Sequence, residues 1–229
     1  MVEEAIVSAA AAVGFAAYAV RGKSSSLIAP SIWHGNRTRP ALALTFDDGP
    51  SESTPALLEL LARYNAKATF FMCGQNVRRL QQIAQQVAAA GHEIGNHTDS
   101  HPALYFKASG FINRELAQAQ EAIVEATSMT PRLFRAPYGV RWPGLRGAQS
   151  RLDLTGVMWS AIARDWKLPA SEVSEILVNK AENGAILCLH DGRELQRSPD
   201  IRATLDAIAL ALPILKERFA LETVTQLTM

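Results

Sequence analysis

The chain is short of the residues that usually announce a site. Of its 229 residues two are cysteine, Cys73 and Cys188, and no CxxC pair exists, which excludes a cysteine-built zinc site. Each cysteine lies in an apolar run, which favours two buried free thiols over a disulfide. Excess charge is missing too. The 23 basic and 22 acidic side chains leave a formal net charge of +1, which gives no footprint for a nucleic-acid partner. No G-x-S-x-G elbow is present, so a serine nucleophile on that turn is excluded. Long hydrophobic runs are lacking, with one borderline case. AIVSAAAAVGFAAYAV, residues 5–20, is 16 residues of modest hydrophobicity, slightly short for a membrane span and longer than most hydrophobic cores of signal peptides. Glu3 and Glu4 precede it, and Arg21 and Lys23 follow it. That charge order is wrong for a secretory leader, and the positive-inside rule would keep the following domain in the cytoplasm. The reading is nonetheless a membrane anchor or uncleaved signal at the cell envelope, ahead of a helix packed on the domain.

Residues 1–23 thus form a hydrophobic segment. Residues 24–40, rich in Ser, Pro, Gly and Arg, read as a linker, and 41–229 as one domain. From Ala41 strand and helix signals alternate. ALALTFDD, KATFFMCG, HEIGNHT, LFRAPYG, TGVMWSAIARDW and AILCLHD read as strands. Between them lie amphipathic stretches: TPALLELLARYN, NVRRLQQIAQQVAAAG, INRELAQAQEAIVEAT and SEVSEILVNKAENG. A last helix covers roughly 200–218, interrupted or kinked at Pro213. Repeated βα units imply parallel strands covered by helices, an α/β fold with its chemistry at the carboxyl ends of the strands.

Those ends collect the unusual residues. Asp47 and Asp48 end the first strand, and His97 and His101 the third. Arg135 ends the fourth, Asp165 the fifth, and His190 with Asp191 the sixth. Two imidazoles and a carboxylate make an N2O set suited to zinc or another divalent first-row metal, with room for water. Singly, each residue has an ordinary explanation. The histidines could be loop residues, Asp-Gly-Pro is turn chemistry, and Tyr138 and Trp166 could be core aromatics. Adjacent strand residues point to opposite faces, so Asp47 and Asp48 can share a site only where the strand ends.

TFDDGP, HTDSH, RAPYG, RDW and LCLHD occur in that order. This combination resembles the polysaccharide deacetylases, the NodB-homology domains of carbohydrate esterase family 4, over about residues 41–227. The resemblance implies a distorted, incomplete (β/α) barrel of about seven strands. It implies metal-dependent removal of N-acetyl, or O-acetyl, groups from a sugar polymer. Asp48, His97 and His101 would be the metal ligands, and Asp47 the general base held by Arg135. The Tyr138 amide would stabilise the oxyanion. His190 would be the general acid, oriented by Asp165, with Trp166 on the acetyl wall. The cofactor expected is one divalent ion, zinc first, with cobalt, nickel or manganese also compatible. The expected partner is an acetylated glycan such as peptidoglycan, chitin oligomers or acetylxylan.

Two positions depart from the family pattern. Ile162 stands where a further acid is common, and Cys188 where Leu is usual. Strand parity puts Cys188 on the His190 face, lining the acetyl pocket. Two other readings compete with an active deacetylase. One is a non-catalytic glycan-binding relative. The other is a non-haem iron oxygenase using the same triad, which the β/α pattern disfavours. Tyr105 and Phe106 in segment 102–111, and Trp142 in 140–147, are candidates for sugar stacking or plain loop packing.

Overall fold

The structure, a computed structural model, describes residues 2–229, with side chains from residue 7 onward. The side chains of Glu3 and Glu4, which bear on the export reading, lie outside the described residues.

A helix, α1 (Val2–Arg21), leads to β1 (Ser31–Ile32) and β2 (Ala41–Gly49). Then come α2 (Thr54–Arg63), β3 (Ala68–Met72), α3 (Gly74–Arg79), α4 (Gln81–Ala89) and β4 (Glu93–Asn96). The long α5 (Ser109–Thr127) is followed by β5 (Leu133–Phe134), α6 (Leu145–Leu152), β6 (Thr155–Val157) and β7 (Ala161–Ile162). The chain closes with α7 (Ala170–Asn179), β8 (Ile186–His190), α8 (Arg202–Arg218), β9 (Ala220–Leu221) and α9 (Val224–Thr228).

Every pairing between these strands is parallel, in the order β1-β6-β5-β4-β3-β2-β8-β7, with β9 added at the start of β2. β2 lies between β3 and β8 and is buried along its whole length, as a continuous apolar run in a two-faced sheet should be. The helices cover this sheet through a core that includes Leu44, Phe46, Phe70, Ile123 and Ile208.

The stretch expected as one strand over TGVMWSAIARDW is two. β6 sits near one edge of the sheet and β7 at the other, yet only Met158, Trp159 and Ser160 separate them. The Met158 N–H donates to Ile32 O at 2.7 Å and the Ser160 N–H to Ile186 O at 2.9 Å. Three residues can bridge the two edges only if the sheet is curled nearly into a barrel, so the incomplete barrel follows from this connection. There are nine strands among the described residues instead of about seven, because several are two-residue pieces.

Other expectations are adjusted in the same way. NVRRLQQIAQQVAAAG breaks at Leu80 (φ −129°, ψ 45°) into α3 and α4. α8 runs through Pro213 as one assigned helix. Residues 24–40, expected as a linker, contribute β1 to the sheet and bury Ser25 and Ala29. No helix among the described residues is long and apolar enough to cross a membrane. The end of α1 packs on the domain: Val20 packs against the cluster that includes Leu104 and Leu145, and its carbonyl accepts from the Arg141 N–H at 3.0 Å. Cys73 and Cys188 are buried free thiols.

Candidate active site

Because the strands are parallel, their carboxyl ends open on one side. There a cavity of about 520 Å³ is lined by Asp47, Asp48, His97, His101, Tyr138, Trp166 and His190, among others. The parity problem at Asp47-Asp48 is solved by backbone geometry. The register between β2 and β3 shifts between Asp47 and Gly49, and Asp48 has a φ of 72°. The bulge turns both acids into one cavity. Thr98 (φ 67°), His101 (φ 54°), Tyr138 (φ 57°) and Glu194 (φ 51°) share this left-handed strain around the same cavity.

The Asp48 carboxylate meets two imidazoles. Its Oδ1 lies 3.3 Å from His97 Nε2 and 3.0 Å from His101 Nε2, yet it is buried and takes no well-aligned hydrogen bond. Its Oδ2 accepts from the Glu194 N–H at 2.8 Å. Burial pushes the Asp48 pKa up, but the two imidazoles outweigh it and hold the group well below the ordinary carboxylate value. One ligand atom from each residue falls within 4.8 Å of the others. Three buried donors of the N2O type converge on a point where none has another good partner, which fits a divalent cation with open positions. His97 is aimed from behind, with Nδ1 2.7 Å from Arg135 O.

The loop carrying both histidines is held by Glu115, which the sequence reading missed. Its Oε2 accepts the Asp99 and Ser100 N–H groups at 3.0 and 2.8 Å, and Oε1 accepts the Ser100 hydroxyl at 2.8 Å. A signal was available. Glu115 falls on the inward stripe of α5 with Ile112, Leu116 and Ala119, where an acid must find donors.

Asp47 is held from beneath. Arg135, fully buried, donates to Asp47 Oδ1 at 2.7 Å and to Thr45 Oγ1 at 2.7 Å. It also donates to the Val157 and Met158 carbonyls and stacks on Phe71 at 4.2 Å. One guanidinium thus fixes a carboxylate and satisfies the connection between the two sheet edges. Removing either partner of such a pair costs about 3–5 kcal/mol.

The Cys188 thiol donates to Asp47 Oδ2 at 3.4 Å. Strand parity does place Cys188 on the His190 face, but it is fully buried beneath Asp47 and does not line the cavity as expected. Asp47, Cys188 and His190 also cluster closely enough to suggest a second metal set. Burial, aided by Asp47, pushes the thiol well above its ordinary pKa, and Arg135 already compensates Asp47, so this group suits proton transfer instead.

Opposite Asp47 stands His190. Its Nδ1 is 2.8 Å from Asp165 Oδ1, and its N–H donates to Asp165 Oδ2 at 2.9 Å. Thr204, at the start of α8, donates to the same oxygen at 2.6 Å, a partner the sequence could not reveal across 39 positions. Burial disfavours the imidazolium, but the Asp165 carboxylate more than offsets it and raises the His190 pKa. Trp166, half exposed, meets the His190 ring edge-on at 5.0 Å. Ile162 lines the cavity at the position where the sequence pattern suggested an acid.

The Tyr138 side chain was also missed. Its ring packs on His101 at 4.8 Å, and its hydroxyl donates to Glu194 Oε1 at 2.6 Å, tying two loops together over the imidazoles. Tyr105, Phe106 and Trp142 pack against one another, with Phe106–Trp142 centroids 4.8 Å apart, away from the cavity lining.

Glycines permit close approaches here. A Cβ on Gly192 would fall on the Asp48 carbonyl, and one on Gly49 on the Asp191 carboxylate. Asp191 is fully buried, and burial pushes its pKa up to about 7. Gly192→Ala is therefore expected to cost about 1–3 kcal/mol and to weaken cation binding, because the obstructing atoms are backbone and cannot rotate away. Thermal denaturation and metal titration of the variant check this.

A curled parallel sheet with a two-histidine, one-carboxylate cluster at its carboxyl edge defines an α/β fold with a candidate metal site. The polysaccharide deacetylase family matches residues 34–157. A chitooligosaccharide deacetylase of Azorhizobium caulinodans is 36% identical over 197 residues, covering 81% of this chain and 93% of the relative. A peptidoglycan-N-acetylglucosamine deacetylase of Bacillus cereus is 32% identical over 190 residues, covering 81% and 67%. Among solved structures, a CE4-family pseudoenzyme from Bacillus anthracis superposes with a TM-score of 0.79 at 25% identity, covering 89% and 71%. The chain belongs to the polysaccharide deacetylase family.

Proposed function

We propose that this protein hydrolyses the acetamide of N-acetylglucosamine residues in an envelope-associated glycan, a chitooligosaccharide or peptidoglycan strand. The observation that carries the reading is the placement of a carboxylate base and a carboxylate-tuned histidine in one cavity with the Asp48–His97–His101 cluster.

Asp48, His97 and His101 would hold one divalent cation, zinc as the usual ion for an N2O donor set, with cobalt, nickel or manganese as substitutes. Such an ion polarises a carbonyl and lowers the pKa of water. Asp47, fixed by Arg135, takes a proton from the attacking water. The Tyr138 amide faces the developing oxyanion. His190, whose pKa Asp165 raises, gives its proton to the leaving nitrogen. Trp166 closes the acetyl side and limits water. Acetate and a free amino sugar leave, and no covalent enzyme intermediate forms.

The test is acetate release from N-acetylglucosamine oligomers and from peptidoglycan, after chelation and metal restoration. Asp47→Asn is expected to lower kcat about 10²–10⁴-fold while metal binding persists. Equal release by wild type and variant would overturn the role of Asp47. No release by the wild type from either glycan, with metal bound, would favour a binding function like that of an inactive relative.

A further inference from the structure

The active-site cavity has one wall that lies outside the sequence motifs. Arg21, the last residue of α1, lines it beside Tyr138, His190 and Arg193. Its guanidinium donates to Tyr138 O at 3.4 Å, a long contact, and the side chain is exposed. This placement is enforced from below. Arg141, 2% exposed, donates through its backbone N–H to Val20 O at 3.0 Å and through its guanidinium to the Gly22 and Ser25 carbonyls. Ser25 is itself buried and its hydroxyl donates to Ala19 O at 3.2 Å. A buried guanidinium needs a compelling set of acceptors, and here the set is the carbonyl end of α1 and the turn after it. Burial lowers the Arg141 pKa by disfavouring the charged guanidinium.

Most of the charges around the cavity have partners within the protein. Asp47 is met by Arg135, Asp165 by His190, and Glu194 by the Tyr138 hydroxyl. Arg193 turns its guanidinium back to the Asp165 and Gly192 carbonyls. Arg21 reaches the rim from the end of α1, against the carbonyl of Tyr138. A neutral sugar needs no guanidinium there. A carboxylate does, because the planar fork accepts it through two parallel hydrogen bonds.

We propose that Arg21 is a specificity-determining residue that reads a carboxylate on the glycan next to the acetamido sugar, and that Arg141 is the positioning residue that docks it. The proposal rests on the deacetylase reading and narrows its substrate to anionic acetylated glycans. The α1 terminus is then part of the binding site, and a domain cut at residue 24 lacks it.

The test uses the full chain and two oligosaccharides of equal length. One alternates N-acetylglucosamine with N-acetylmuramic acid bearing its free lactyl carboxylate; the other is a neutral N-acetylglucosamine oligomer. The ratio of kcat/KM, anionic over neutral, is expected to fall about tenfold in Arg21→Ala, through KM. It should fall further in Arg21→Glu and recover in part in Arg21→Lys. Added salt should lower the wild-type ratio and leave that of Arg21→Ala unchanged. A ratio unaffected by all three variants would overturn the carboxylate-reading role while the deacetylase reading stands. No acetate from either oligosaccharide with wild type would overturn both.

Discussion

Asp48→Ala is expected to abolish specific cation binding and with it nearly all acetate release. Even the loss of an outer partner typically lowers metal affinity 10–100-fold, and Asp48 is the carboxylate on which both imidazoles converge. The effect can be read without substrate. A cation that binds the folded state alone stabilises it by about 2.7 kcal/mol at 100 times its Kd. Zinc or cobalt should therefore raise the wild-type melting temperature and leave that of Asp48→Ala where it was. Cobalt also offers an absorption spectrum, which the variant should lack. A variant that kept both the thermal shift and the spectrum would mean the cation sits elsewhere, with the Asp47–Cys188–His190 group the alternative set.

The second large effect concerns protonation. His190 must carry its proton to serve as an acid, and Asp165 is what raises its pKa against the cost of burial. Asp165→Asn keeps the shape, removes the charge, and lowers the His190 pKa. The protonated, active fraction is then lost at a lower pH, so the alkaline limb of the kcat/KM profile should move to lower pH. At neutral pH and above, kcat should drop on the order of 100-fold or more. The acidic limb, set by other groups, should move less. A profile that falls uniformly, with its alkaline limb unmoved, would mean that another group donates the proton. Because Asp165 also accepts from Thr204 and from the His190 N–H, thermal denaturation should accompany the kinetics. A variant that melts like wild type and still shows the shifted limb isolates the electrostatic effect.

The neighbouring pseudoenzyme gives these tests weight, since the same fold can exist without activity. In this chain the candidate base, the candidate ligands and His190 line one cavity, with His190 held by Asp165. The missing acid at Ile162 leaves Asp165 with three donors of its own, from His190 twice and Thr204 once.

Much of this was legible in the chain itself. The β/α alternation gave parallel strands, and strand ends gave the acids, histidines and arginine one common side, because a parallel sheet has only one carboxyl edge. The reach of short patterns ended where long-range geometry began. TGVMWSAIARDW carries an apolar pattern fit for one strand, but it must cross from edge to edge of a curled sheet. Leu80 fits the apolar face of a helix, yet its φ and ψ leave the helical region. Cys188 has the parity of a pocket residue, but it is fully buried with its thiol on Asp47, which itself lines the cavity. Parity fixes a face and says nothing about depth.

By itself, then, the order of residues determined the fold class, the strand ends and the residue types that could carry the chemistry, since periodicity and motif spacing are local properties. Tertiary structure decided the rest. It turned Asp47 and Asp48 into one cavity through a bulge, set Glu115 beneath the histidine loop, and brought Thr204 to Asp165. It also docked the end of α1 through Arg141, which made Arg21 part of the cavity wall. Each of these depends on contacts between segments far apart in the chain, and no local pattern encodes such a meeting.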